Sequence, residues 1–108
     1  MNKIILIISL MITLNLYSET ASFYHDKFNG RKTANGEIFD QNKLTCASNV
    51  YKIGTKLKVT NIKNNKSVIV RVNDTSKLYG RSIDLSKSAF NTIGDLKSGI
   101  IKVKIEVL

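Results

Sequence analysis

The sequence predicts an all-β fold, a small closed barrel of five or six short strands with one short helix. Three patterns carry that prediction. Short β-prone runs recur between turn-forming residues; a single stretch, from Ser86 to Gly94, has helical spacing; and the last residues alternate strictly, Ile101, Val103, Ile105 and Val107 against Lys102, Lys104 and Glu106. In a chain this short, strands that leave no edge unpaired favour a barrel over an open sheet.

The first β-prone run is Thr20 to Tyr24, TASFY, ending in aromatics. A weaker one follows at Lys43 to Ala47. Leu57, Val59 and Ile62 stand on one side of Asn64-Asn65, and Val68, Ile69, Val70 and Val72 on the other, which predicts a hairpin whose turn uses Asn at positive φ. Its second arm, SVIVRV, is almost continuously apolar and is expected to be buried on both faces in a central position. Thr75 to Arg81 is a polar loop, Ile83-Asp84-Leu85 a brief extended piece, and Ser86 caps a short helix that turns Ala89, Phe90 and Ile93 to one side and closes at Gly94.

A chain of 108 residues with one Cys, no Trp and no Pro supports one small domain. Lys3 followed by the apolar run Ile4 to Leu16 reads as a secretory signal over residues 1–18, leaving a domain at 19–108. The run is shorter than the ~20 residues a membrane span needs. An uncleaved anchor is the alternative, and with no Cys after the run a lipoprotein is not expected. A periplasmic or secreted location follows. Without Lys3 the domain carries sixteen Lys or Arg against eight Asp or Glu, about +8, which favours acidic partners. Export argues against nucleic acid, and the cations are spread from Lys27 to Lys104. Cys46 cannot form an internal disulfide and reads as a buried small hydrophobe. One His and one Cys support no metal site, no cofactor is implied, and a monomer is expected.

The stretch Asn29 to Asp40, NGRKTANGEIFD, is a doubly turned loop, because both Asn-Gly dipeptides accept positive φ cheaply. It presents Glu37 directly after a bend, either as a solvated turn residue or as a positioned acid. Asp74, at the end of a strongly apolar strand, either accepts backbone hydrogen bonds or serves a site. Asp84 reads as a cap or ion-pair partner and Asp40 as a turn acceptor. Arg71 either pairs with a carboxylate or snorkels outward. Tyr24, Tyr51 and Tyr79 either stack on sugar faces or pack. His25 is expected to be an exposed loop residue.

The stretches GRKTANGEIFD, TCASNVYKIGTKLKVTN and VIVRVNDTSKLYGRSIDLSKSAF resemble in order and spacing the RlpA-like family. The resemblance implies a six-stranded double-psi β-barrel related to barwin and expansin domains, an extracytoplasmic place, and lytic transglycosylase activity on peptidoglycan glycan strands stripped of stem peptides. It assigns the acidic site residues to Glu37 and Asp74. The family's His falls on Ser48, whose hydroxyl cannot become cationic near neutral pH. Phe23 and His25 replace a Trp and a Gly, and Thr75-Ser76-Lys77 replaces an Arg-Gly-Pro run. Tyr24 and Arg71, with Ser48, are candidate substrate contacts.

A lytic transglycosylase needs one carboxyl that first donates a proton to the leaving oxygen and then takes one from the sugar's C6 hydroxyl. Partial burial raises such a group, and Asp74 is the expected bearer, with Glu37 assisting. A non-catalytic wall-binding or expansin-like module is the alternative, motivated by Ser48.

Overall fold

The computed structural model describes residues 19–77 and 82–108. The expected leader at 1–18, and Tyr79 with the Gly80-Arg81 close of the polar loop, lie outside the described residues. Strands and helix follow as β1 (Glu19–Phe23), β2 (Thr45–Ser48), β3 (Lys56–Asn61), β4 (Ser67–Asp74), β5 (Ile83–Leu85), α1 (Lys87–Ile93) and β6 (Ile101–Val107). The strands close into one barrel in the order β1-β5-β2-β4-β3-β6. β1 with β5 and β2 with β4 run parallel, and the other pairs are antiparallel. These crossed-over parallel pairs agree with the double-psi expectation, and closure leaves no free edge.

Alternation sorts the side chains. Leu57, Val59, Val68, Val70, Val72, Ile83, Leu85 and Val103 face inward, and α1 adds Ala89, Phe90 and Ile93 to the same core. Each fully buried large side chain contributes about 1.5–3 kcal/mol. The Phe90 ring meets Phe23 edge to face at 4.8 Å between centroids. Ser86 caps α1 by accepting from the Ala89 N–H at 3.2 Å, as its position predicts.

The β3–β4 turn places Asn65 at φ 63°, the left-handed region expected of it. Asn61 and Asn64 both donate from their side-chain amides to the Ile93 carbonyl, at 2.8 and 2.9 Å, and so tie this turn to the end of α1.

One expectation is corrected. β4 is flanked by β3 and β2, but it is not buried on both faces: Ile69 is 53% exposed between inward Val68 and Val70. A barrel of this size has only one interior, so the outer face of even its most apolar strand meets solvent.

Candidate active site

Along β4 the alternation that turns Val70 and Val72 inward would turn Asp74 inward too. The β2–β4 register prevents this. Cys46 pairs with Val72, but the next residue, Ala47, pairs with Asp74, so Asn73 is an extra residue on the β4 side. Such a bulge re-aims the side chain that follows it. Asp74 thereby comes out on the face of Ala47, whose neighbour across β5 is Asp84.

The result is a cleft of about 410 Å³ on the outer face of the barrel, lined by Tyr24, Phe28, Ala47, Asp74, Thr75, Ser76, Lys77 and Asp84. Three donors converge on the Asp74 carboxylate. The Tyr24 hydroxyl donates to Oδ2 at 2.7 Å, and the Ala34 and Thr75 N–H groups to Oδ1 at 2.8 and 2.9 Å. Donors from three separate segments fix the orientation of both oxygens.

Asp84 differs in kind. Burial is the main cause that pushes its carboxyl above the usual range; the Ser22 hydroxyl, donating to Oδ1 at 3.1 Å, opposes this, and the negative charge of Asp74 adds to it. The expectation that Asp84 caps the helix or pairs with a cation is corrected: Ser86 is the cap, and among the described residues Asp84's hydrogen-bond partner is Ser22. The carboxyl that burial raises is therefore on β5. The usable signal was its place between Ile83 and Leu85, both fully buried, which forces Asp84 to the opposite face.

Glu37 is not among the cleft-lining residues. The loop around it is a miniature hairpin: Lys32 bridges Ile38, Thr33 N–H donates to the Glu37 carbonyl at 2.7 Å, and Gly36 takes φ 88° at the bend. Glu37 meets Arg71 through both oxygens, and the Asn35 side-chain amide also donates to it. The Arg71 contact, then that of Asn35, pulls its carboxyl down to about 2. Arg71 thus takes the carboxylate-pairing alternative, which leaves its guanidinium committed to Glu37.

Two further candidates for glycan contact are corrected by burial. Ser48 is 3% exposed, and its hydroxyl accepts from the Val50 and Tyr51 N–H groups, both at 3.0 Å, so it caps a turn. Tyr24 is 6% exposed, its ring stacked on Phe39 at 4.1 Å; it lines the cleft as part of the wall, with its hydroxyl committed to Asp74. Phe28, 37% exposed on the cleft rim, is the aromatic that a sugar face can meet, and the sequence reading missed it. Tyr51 packs against the core, Asp40 accepts from the Asn42 N–H, and exposed His25 accepts from the Lys27 N–H.

A larger cavity of about 620 Å³ lies between the β3–β4 turn and the segment after α1. The carboxylate lining it, Asp95, accepts from the Lys97 N–H at the start of the Leu96–Ser98 turn. The smaller cleft, by contrast, is lined by two carboxyls, Asp74 and Asp84.

Comparison with known proteins agrees on this architecture. The family described as lytic transglycolase matches residues 18–105. Over 89 residues the chain is 46% identical to the endolytic peptidoglycan transglycosylase RlpA of Pasteurella multocida, covering 82% of this chain and 30% of that protein. Over 87 residues it is 48% identical to the protein of the same name from Neisseria meningitidis serogroup A, covering 80% and 36%. The chain thus spans about a third of the length of these curated relatives. A Clavibacter michiganensis expansin solved with cellohexaose superposes with TM-score 0.65 at 24% identity, covering 83% of this chain and 48% of that one. That likeness speaks for the fold alone.

Proposed function

Since this chain belongs to the lytic transglycolase family, we propose that it cleaves peptidoglycan glycan strands as an endolytic transglycosylase, with the Asp74–Asp84 cleft as its active site. The observation that carries this is the pairing itself. A carboxyl raised by burial stands beside a second carboxylate whose orientation is fixed by Tyr24, Ala34 and Thr75.

The chemistry follows from those environments. Asp84 donates its proton to the glycosidic oxygen as that bond breaks, and the leaving sugar departs as an alcohol. The Asp84 carboxylate then takes the proton of the C6 hydroxyl as that oxygen closes on the anomeric carbon, giving a 1,6-anhydromuramyl end and restoring the acid. No water is consumed. Asp74, as a fixed negative charge, stabilises the positive charge that develops on the ring in between. Phe28 and the polar rim of Thr75, Ser76 and Lys77 supply sugar contacts.

The apolar run at residues 4–16 supports export to the cell envelope, where such strands lie. Digestion of purified denuded glycan, with mass analysis of the products, tests the assignment. Anhydromuramyl ends that disappear in Asp84→Asn and Asp74→Asn are expected. Reducing-end products would instead indicate hydrolysis, and sedimentation with sacculi without product would leave only a binding module.

A further inference from the structure

The outer face of β4, β3 and β6 has a composition that folding does not explain. Register sets Lys58 between Ile69 and Glu106, Thr60 between Ser67 and Lys104, and Lys102 one step further along β6. Lys56 follows on β3, and Lys63 and Lys66 stand at the β3–β4 turn. All six lysines are exposed, and the one carboxylate among them is Glu106, 3.9 Å from Lys104. Six cations against one acid give this face a net five of the eight positive charges on residues 19–108. Like charges on neighbouring strands repel, so the cluster costs stability.

Two exposed aliphatic groups lie among the lysines: Ile69 on β4, opposite Lys58, and Ile62 at the turn. The face is the outside of the barrel, formed by side chains standing off three adjacent strands, and at its turn end Ile62, Lys63 and Lys102 also line the larger cavity of about 620 Å³. A basic surface three strands wide, studded with aliphatic tips, suits a broad, phosphate-bearing plane into which those tips can sink. β3, at the centre of the face, is three places from β5 in either direction round the barrel, so the strand bearing Asp84 lies on the far side.

We propose that this face is a peripheral docking surface for an anionic phospholipid membrane, which holds the barrel at the lipid surface with its Asp74–Asp84 cleft open to other ligands. Lysine suits the task, being a hydrated point charge that meets headgroup phosphates without a fixed partner geometry.

Co-sedimentation of the purified protein with phosphatidylcholine vesicles, and with vesicles containing about a third phosphatidylglycerol, provides the test. Retention on the neutral vesicles measures any contribution of the apolar run at residues 4–16. The expected result is additional, salt-sensitive binding to the anionic vesicles that falls roughly a hundredfold in a Lys58→Gln/Lys102→Gln/Lys104→Gln variant. A Lys32→Gln/Lys52→Gln/Lys97→Gln variant, of identical net charge, should bind like the wild type. Equal loss in both variants would mean unspecific net-charge attraction and overturn the proposal. So would wild-type binding that ignores lipid charge, or retention on soluble polyphosphate but not on vesicles.

Discussion

Arg71 on β4 holds both carboxylate oxygens of Glu37, Nη1 to Oε1 at 2.5 Å and Nη2 to Oε2 at 2.7 Å. The same loop, three residues earlier, sends the Ala34 N–H to Asp74, and Asn35 N–H reaches the Asn73 carbonyl. The ion pair therefore sets where one donor to Asp74 stands. On this reading Glu37 positions the site without touching substrate. Glu37→Gln should lower kcat about tenfold to a hundredfold with KM little changed, since small misplacement of a reacting group costs that much. The exchange Glu37→Arg/Arg71→Glu should recover much of the rate. A folded exchange variant that binds glycan yet stays inactive would instead make Glu37 a participant in the chemistry.

The same pair has an acid signature. Glu37 is held down to about 2, chiefly by Arg71 and then by Asn35, against about 4.3 in an unfolded chain. A depressed carboxyl stabilises the fold above its unfolded value, and that contribution is lost as pH falls from about 4.3 toward about 2. Thermal melts across this window should show a steeper decline for the wild type than for Glu37→Gln. The contribution is modest, because both partners are about two-fifths exposed and solvent screens them.

Asp84 has the opposite sign. Its folded carboxyl is raised by burial and by Asp74, so the folded state binds the proton more tightly, and stability declines as pH rises through the folded value. Asp84→Asn removes a charge that burial penalises. It should melt higher than the wild type at neutral pH, converge with it in acid, and lose about a hundredfold to ten-thousandfold in kcat, the usual worth of a general acid–base group. Stability gained with activity lost is the mark of a group kept for function. Equal melts at neutral pH would remove the burial argument.

The barrel was legible because its strands obey alternation and its helix carries a cap and one apolar face. Leu57 and Val59, or Ala89 and Phe90, announce their direction in the order of their neighbours. The site was legible only in part. Asp74 stands out at the end of a strand, but the face it joins depends on the extra residue at Asn73, which is a property of the β2–β4 pairing rather than of either segment. Asp84 reads as a local cap because Ser86 and the helix follow it; its proximity to Ser22 and Ala47 arises from parallel and antiparallel pairing across long sequence separations. Glu37 carried a bend's prominence and a family position, yet its partner Arg71 lies 34 residues away.

Ser48 offers a test of that distinction. Its hydroxyl satisfies two backbone N–H groups in a buried turn, so Ser48→Ala leaves them without an acceptor. A loss of about 1–3 kcal/mol in chemical denaturation is expected, with product formation per folded molecule unchanged. Ser48→His should not raise activity, because Ser48 is 3% exposed and a larger side chain in that buried turn overpacks it at a cost of about 1–3 kcal/mol. A gain of activity in that variant would show that an imidazole can reach the cleft.

Tyr24 connects the two halves of the argument, packing and chemistry, in one side chain. Its ring lies on Phe39 and against Phe28, while its hydroxyl donates to Asp74. Burial, then the hydrogen bond and charge of Asp74, pushes the phenol well above its ordinary value, so it remains a donor throughout the working pH range. Tyr24→Phe keeps the ring and removes the donor. A hydrogen bond to a charged partner is worth about 1.5–3 kcal/mol, so removing it should measurably lower the melting temperature. The Asp74 oxygen it released would then be free to turn toward Ser76 or Lys77 on the cleft rim, lowering kcat while glycan binding through Phe28 persists. Tyr24→Leu should damage folding as well, by removing the stack on Phe39. If Tyr24→Phe matched the wild type in kcat and its pH profile, the orientation of Asp74 would not limit the reaction, and the role assigned to the converging donors would fail.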